Sequence, residues 1–147
     1  MRAVCQRVSE ARVVVERDVV GEIEHGLCVL VGVARSDDEA AAERLAAKVV
    51  RLRVFPDDEG RFDRDVKQAN GRVLAVSQFT LIADTAKGNR PSFAGAAPPE
   101  EAEPLYRRFC EAVAAEGVQV ARGVFGARMR VELVNDGPVT IVLDIEP

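Results

Sequence analysis

A short apolar run that passes directly into polar residues places the strongest constraint on how this chain can fold. Residues 73–76 predict a buried strand, and Ser77, Gln78, Phe79 and Thr80 follow it without a break. A buried hydroxyl or amide that lacks a partner costs about 1–3 kcal/mol. The three polar side chains therefore need partners, which are either nearby backbone groups or a ligand, and we expect a ligand.

Most of the remaining pattern predicts short strands joined by hairpins. The expected strands in chain order span 1–8, 12–15, 19–23, 26–33, 54–55, 73–76, 118–121, 129–134 and 139–145. The apolar run at 26–33 is typical of a central strand that is covered on both faces. Asn70-Gly71 is the strongest hairpin signal in the chain, and the first two strands are expected to form a hairpin around Ser9 and Glu10.

Two segments have helical spacing of their apolar residues. The first follows a capping box in which Ser36 is the N-cap and Glu39 the third helical residue, and it extends to about Leu52. The second begins near Pro98 and ends before Gly117, which suits the position just after a helix. Strands and helices do not alternate regularly. We therefore expect an α+β fold in which a mainly antiparallel, curled, β-barrel-like sheet is combined with two helices.

Length and charge limit the class of protein. With 147 residues the chain is long enough for a core and is expected to form a single domain, 1–147. Its net charge of −4 argues against a general nucleic-acid coat protein, although a local basic patch remains compatible with that total. No apolar run approaches the ~20 residues that span a membrane, and the first residues lack the apolar region of a signal peptide. We expect a cytoplasmic protein that does not enter membranes.

The cysteines and the single histidine exclude several kinds of site. Cys5, Cys28 and Cys110 are far apart and form no CxxC pair, so neither a zinc site nor a disulfide framework is indicated. His25 lies in a turn between two predicted strands, which indicates a solvated side chain. The chain also lacks a glycine-rich phosphate loop and a metal-ligand cluster. We expect no metal and no cofactor.

Three further segments are candidates for ligand contacts. Gly137-Pro138 is either an ordinary turn or, if the bond is cis, a place where two carbonyls point in nearly the same direction and accept from an ammonium group. The loop that carries Lys87 and Arg90 is either solvated or contacts phosphate or RNA. The loop 123–129 either packs as a turn or walls a pocket with Phe125 and Met129.

Taken together, these segments resemble the D-aminoacyl-tRNA deacylase family. The matching stretches are 1–4, 6–8, 77–81, 90–93, 123, 125–126 and 135–140. The family's two signature motifs are SQFT and NxGPVT, and both are intact here. The resemblance covers the whole chain and implies the deacylase-like fold, with no cofactor.

The resemblance implies an activity and an assembly. Enzymes of this family hydrolyse the ester that links a D-amino acid to the 3′ end of tRNA, and they also remove glycine from mischarged tRNA. They are homodimers with the active site at the subunit interface, and a cis Gly-Pro bond, here Gly137-Pro138, enters the site of the other subunit. In this hypothesis the two carbonyls hold the α-ammonium, so that a D side chain points to free space and an L side chain clashes with the backbone.

The same resemblance assigns the reaction to Ser77, Gln78, Phe79 and Thr80 and leaves two routes open. Thr80 is the family's proposed nucleophile, but a threonine hydroxyl needs a base, and the sequence offers no obvious one. Alternatively, the 2′-hydroxyl of the terminal adenosine helps to activate water. Ser77, Gln78 and the backbone around Phe79 and Thr80 then orient the adenosine and stabilise the oxyanion. We favour the second route.

Other residues are assigned to substrate binding. Phe125 and Met129 are expected to contact the substrate, and Arg7, Lys87, Arg90 and Arg128 are the candidates for contacts with tRNA. The competing interpretation is a dimeric nucleic-acid-binding module of the same fold without hydrolytic activity, because a fold does not determine a function.

Overall fold

The first strand is the element on which the sheet is built. The computed structural model describes residues 1–146. Its elements in chain order are β1 (Arg2–Val15), β2 (Asp18–Ile23), β3 (Gly26–Gly32), α1 (Glu39–Arg51), β4 (Phe55–Pro56), β5 (Phe62–Arg64), β6 (Arg72–Ser77), a 3-10 helix (Phe79–Ile82), α2 (Pro99–Ala115), β7 (Val120–Arg122) and β8 (Arg130–Asp144). β1 pairs antiparallel with β3 and β2 along one edge and with β8 along the other.

The other half of the sheet is parallel. β3 pairs parallel with β6, and β6 pairs parallel with β7, so the sheet is mixed and only the half around β1 is antiparallel. The sheet curls so far that β7 comes close to β2. A Cβ atom added to Gly21 of β2 would lie only 2.4 Å from the carbonyl oxygen of Arg122 in β7. The expected barrel-like α+β fold with two helices is confirmed. It differs from the prediction of a mainly antiparallel sheet in that half of the sheet is parallel.

Two apolar layers bury the central strands on both faces. One layer lies between the sheet and the helices and includes Leu45 of α1, Phe109 of α2 and Val29 of β3, all fully buried. The other layer lies inside the curled sheet and includes Cys28 and Leu74. Because alternate residues of a strand face opposite sides, the unbroken apolar run in β3 is explained by its position between these layers.

Local signals were misleading at two turns. The expected hairpin around Ser9 and Glu10 is wrong, since β1 continues through them while β8 pairs with it along most of its length. The hairpin expected at Asn70-Gly71 is also wrong. Asn70 adopts a left-handed conformation with φ of 55°, but the turn delivers the chain into β6, whose neighbours are both parallel.

The last two expected strands are a single element. β8 runs from Arg130 to Asp144 through residues 135–138, where a separation was expected. Helix α2 follows the expected pattern, and Gly117 comes directly after its C-cap with φ of +92°. No helix among residues 1–146 is long and apolar enough to cross a membrane.

The start of α1 provides a stability prediction. The N-cap is Asp38 and not Ser36, because the Asp38 side chain accepts a hydrogen bond of 2.8 Å from the backbone N–H of Ala41. We expect Asp38→Ala to lower the free energy of unfolding by about 1 kcal/mol in urea unfolding experiments. Ser36→Ala should have no measurable effect, and an equal loss in both variants would contradict this assignment.

Candidate functional site

The polar residues after β6 lie where that strand leaves the sheet. The backbone N–H of Gln78 donates to the carbonyl of Val31 at 2.8 Å, which is the last backbone bond to β3. The chain then turns into the 3-10 helix, and Leu81 N–H donates to the Gln78 carbonyl at 3.2 Å. Ser77 and Gln78 are half-buried, whereas Phe79 and Thr80 are exposed. The strand end therefore presents its polar groups at the surface.

These residues border an apolar cleft of about 580 Å³. Ser77, Gln78 and Phe79 line it on one side, and Phe125 and Met129 line it as well. The remaining lining residues are Val33, Val76, Phe93, Ala96, Ala97, Pro98, Pro99, Ala102, Gly126, Ala127 and Val131. The structure thus brings five of the predicted site residues together, and the loop 123–129 forms a wall of the cleft.

Aromatic contacts shape the cleft at two points. Phe79 and Phe93 meet edge to face with their ring centroids 5.1 Å apart. Phe125 packs against Tyr106 at 6.1 Å, and the buried Tyr106 hydroxyl donates to the Ala75 carbonyl at 2.8 Å. Tyr106 therefore links the wall of the cleft to β6, the strand that delivers Ser77.

Small residues before α2 form part of the cleft and were not anticipated from the sequence. Ala96 and Ala97 are buried, and the backbone N–H of Ala97 donates to the Val33 carbonyl at 2.9 Å. The signal that could have revealed them is the run of small residues at 94–97. Such a run leaves space beside a sheet where larger side chains would fill it.

Thr80 lacks a base. Its hydroxyl oxygen accepts from Gln78 Nε2 at 2.6 Å, and an amide N–H cannot take up a proton. Among residues 1–146 no other side chain hydrogen-bonds to Thr80. His25 lies before the opposite end of β3, which is about 20 Å away along the strand, and its Nε2 is 2.8 Å from the Ala69 carbonyl oxygen.

The cysteine thiols are equally unsuited to attack an ester. All three are buried. Burial raises the pKa of Cys5 to about 12 and that of Cys28 to about 11, and it also raises the pKa of Cys110. The thiolate is the nucleophilic form, so these groups stay protonated and inert near neutral pH.

Gly137 and Pro138 project from β8 in a wide bulge. Gln6 faces Thr140 and Val8 faces Asn135 across the β1–β8 ladder. Residues 136–139 therefore oppose the single residue Arg7. The Gly137-Pro138 peptide bond is cis, and both residues are exposed.

Two side chains hold this bulge in place. Arg7 donates from Nε to the Asp136 carbonyl at 2.8 Å and from Nη1 to the Val54 carbonyl at 2.7 Å, and its guanidinium lies over the Phe62 ring at 5.6 Å. The Asn135 side chain accepts from Val139 N–H at 2.7 Å. With 12% of its side chain exposed, Arg7 lies against the bulge and is not spread on the outer surface.

The other predicted cations lie apart from the bulge. Lys87 and Arg90 are exposed in a loop whose ends are joined by a bridge between Asp84 and Ser92. Arg128 is exposed beside Met129 at the cleft wall. Within the part of the chain that the structure describes, none of these three cations forms an ion pair.

The cleft and the bulge are separate features of one chain. Neither Gly137 nor Pro138 lines the cleft, and among the strands of residues 1–146 β8 pairs with β1 alone. The chain therefore does not bring the bulge together with the residues that line the cleft.

The bracing role of Arg7 can be tested directly. We expect Arg7→Ala to lower kcat/KM for the substrate that the sequence resemblance implies by about tenfold, because a misplaced group about 1 Å from its productive position can cost up to 10²-fold. Arg12→Ala is the matched control, since Arg12 also reaches from β1 to β8, where it pairs with Glu132 at 2.9 Å. Equal kcat/KM values of the two variants would contradict the bracing role.

Comparison with known proteins gives a consistent result. A family model described as D-Tyr-tRNA(Tyr) deacylase matches residues 4–144. The D-aminoacyl-tRNA deacylase of Symbiobacterium thermophilum is 60% identical over 146 residues, covering 99% of this chain and 97% of the relative. That of Deinococcus radiodurans is 54% identical over 145 residues, covering 99% and 100%.

Solved structures resemble this one along its whole length. A structure titled "c-Myc DNA Unwinding Element Binding Protein" has a TM-score of 0.94 and 39% identity and covers 100% of both chains. A structure described as a probable eukaryotic D-amino acid tRNA deacylase has a TM-score of 0.84 at 19% identity, covers 98% of both chains, and supports the fold alone.

Proposed function

Because this chain belongs to the D-Tyr-tRNA(Tyr) deacylase family, we propose that it hydrolyses the ester between a D-amino acid and the 3′ end of tRNA. The observation that carries this proposal is the family match over nearly the whole chain, with the Ser77-Gln78-Phe79-Thr80 segment at the edge of an apolar cleft. The chain is an ester hydrolase that acts on aminoacyl-tRNA, working as one domain in the cytoplasm.

The complete site is formed by two copies of the chain. In this proposal the Gly137-Pro138 bulge of one subunit enters the cleft of the other. Support comes from the separation of bulge and cleft within one subunit and from the long edge strand β8. That strand exposes 50% of Val134 and 58% of Val142, and an open edge with apolar side chains is usually covered by a partner.

The terminal adenosine of tRNA occupies the cleft. The rings of Phe79 and Phe93 border an apolar space with small residues such as Ala96 and Ala97, and aromatic side chains are suitable partners for a nucleobase. Ser77 and Gln78 then lie beside the sugar and the ester. Lys87, Arg90 and Arg128 contact the tRNA outside the cleft.

Backbone groups of the bulge select D-amino acids over L-amino acids. The carbonyls of Gly137 and Pro138 accept from the α-ammonium and fix the position of the α-carbon. A D side chain then points to free space, and an L side chain meets the backbone, which is rejection by a built-in clash. Glycine has no side chain to clash, so glycine mischarged on tRNA is also a substrate.

Hydrolysis uses the substrate's own hydroxyl. Thr80 has no base within the described residues, and its oxygen is already engaged by Gln78. The 2′-hydroxyl of the terminal adenosine helps to activate water, while the backbone N–H groups at Phe79 and Thr80 are available to stabilise the oxyanion.

One assay tests the proposed function. The protein is incubated without added metal with D-tyrosyl-tRNA, L-tyrosyl-tRNA and glycyl-tRNA, and the released amino acid is measured over time. We expect release of D-tyrosine and glycine and no acceleration of L-tyrosine release above the spontaneous rate. Release of L-tyrosine at the D rate would refute the selection mechanism.

A second candidate function is nucleic-acid binding without hydrolysis. It is favoured by the 39% identity to the protein whose title names a DNA unwinding element. The same assay separates the two functions, because a binding module would retain tRNA or DNA on a filter without releasing D-tyrosine.

A further inference from the structure

A basic groove lies on the outer side of α1 and was not part of the predicted site. Its charged lining residues are Arg44, Lys48, Arg51 and Arg53, and its apolar ones are Ala47, Leu52 and Ile145. No acidic side chain is among the lining residues. In a protein with a net charge of −4, this is a local reversal of the overall charge, which is what the binding of an anionic partner requires.

The cations of the basic groove are arranged in a row. Arg44, Lys48 and Arg51 are four and three residues apart on one helix face, which places them about 6 Å and 4.5 Å apart along the helix axis. Arg53 continues the row beyond the helix. The helix dipole favours Lys48 and Arg51 in the last turn, but it gives no reason for Arg44 or Arg53.

Most of this positive charge remains available to a ligand. Lys48 has no ion pair or hydrogen bond within residues 1–146, and Arg44 donates only to the backbone carbonyl of Glu146. Arg51 pairs with Glu116 at 3.1 Å, and Arg53 pairs with Asp63, but 61% and 69% of the two arginine side chains are exposed. Exposed pairs of this kind contribute about 0–1 kcal/mol, so a phosphate can compete for these guanidinium groups.

The basic groove is connected to the bulge through the residue that follows Arg53. Val54 follows Arg53 directly, and its carbonyl accepts from Arg7 Nη1 at 2.7 Å. Arg7 in turn holds the Asp136 carbonyl at 2.8 Å, next to Gly137. The cations and the bulge are thus connected through a short chain of backbone contacts.

We propose that the basic groove binds the phosphate backbone of the tRNA acceptor arm while the aminoacylated 3′ end occupies the cleft of the partner subunit. This inference rests on the proposed function, since it is the bulge entering the partner's cleft that places the groove beside that cleft. Phosphate contacts position a nucleic acid without reading its sequence. The groove therefore serves tRNAs of different sequence equally.

The test removes the two cations without acidic side-chain partners. Arg44→Ala/Lys48→Ala is compared with Arg17→Ala/Lys67→Ala, which removes the same charge from exposed residues elsewhere that also have no ion pair within the described chain. Arg51 and Arg53 are left in place because their removal would leave Glu116 and Asp63 without partners. Thermal unfolding verifies that both double variants fold.

Three measurements are made on each protein. They are the steady-state kinetics with D-tyrosyl-tRNA, the rate of hydrolysis of D-tyrosyl-adenosine, which has no tRNA body, and the affinity for uncharged tRNA as a function of salt. For the groove variant we expect a KM about tenfold higher with an unchanged kcat. The slope of the logarithm of the tRNA binding constant against the logarithm of the salt concentration should be shallower by about 1.5, as expected for two lost phosphate contacts. D-tyrosyl-adenosine should be hydrolysed at the wild-type rate.

The outcomes separate this inference from the proposed function. The proposed role of the groove would be overturned if the two double variants had equal KM values and equal salt slopes. It would also be overturned if the groove variant lost as much activity on D-tyrosyl-adenosine as on D-tyrosyl-tRNA. Failure of the wild-type protein to hydrolyse either substrate would overturn the proposed function. The salt dependence of tRNA binding would still report on the groove in that case.

Discussion

Gly137→Ala is expected to lower kcat/KM for D-aminoacyl-tRNA at least about a hundredfold, the scale of a misplacement of about 1 Å at a reacting group, while the protein remains folded. Gly137 has φ of +148°, a region that residues with a side chain rarely adopt. A Cβ at this position would lie 2.7 Å from Val139 Cγ2 and 2.9 Å from the Val139 backbone nitrogen. The bulge must therefore shift, and with it the carbonyls that we propose to hold the ammonium group.

The matched control is another glycine with a positive φ, which lies in open space. Gly60 has φ of +81°, and a Cβ there would meet nothing within 4 Å. We expect Gly60→Ala to keep wild-type kcat/KM in the same single-turnover assay. Wild-type kinetics for Gly137→Ala would show that the position of the bulge does not govern the reaction.

A tRNA that ends in 2′-deoxyadenosine is expected to be hydrolysed at least about a hundredfold more slowly than the normal substrate, because a positioned proton-transfer group contributes about 10²–10⁴-fold. Thr80→Ala should reduce the rate by less than about tenfold. Its hydroxyl oxygen accepts a single hydrogen bond from Gln78 Nε2, and such a bond contributes about 0.5–1.5 kcal/mol.

These two experiments distinguish the routes when they are combined. Single-turnover rates are measured for both substrates with the wild-type protein and with the Thr80→Ala and Thr80→Ser variants. Near-normal turnover of the deoxy substrate would contradict substrate assistance. If Thr80→Ala were inactive and Thr80→Ser active, the hydroxyl would be the nucleophile despite the absence of a base.

The sequence predicted those features that depend on neighbouring residues. The apolar run at 73–76 with its polar end was found as a strand that stops at Ser77, and the double-sided burial of β3 followed from its lack of polar alternation. Gly117 was placed correctly after α2, because a left-handed residue at that point is a local requirement. Each of these signals is contained within a few residues.

The features that could not be predicted from the sequence depend on contacts between residues that are far apart in the chain. Ser9 and Glu10 have turn-like composition, yet they continue β1 because β8 provides a second edge for pairing. Arg7 was predicted as a candidate for contact with tRNA, and its acceptor at Asp136 is 129 residues away. The parallel pairing of β6 with β3 likewise depends on the long crossover through α1 that separates the two strands in the chain. None of these contacts leaves a mark on the adjacent sequence.

The way in which the bulge is held has a consequence for mutational tolerance. Arg7 and Asn135 hold the bulge through their side chains. Asp136 contributes its backbone carbonyl to Arg7 at 2.8 Å, while its carboxylate is 64% exposed and lies 4.0 Å from Arg7 Nε, so that this ion pair is weak. The recognition surface that we propose here is built from main-chain atoms and offers few side chains that a point mutation can alter. Substitutions at Asp136 should therefore be nearly silent, and damage should be confined to the few residues that set the backbone path.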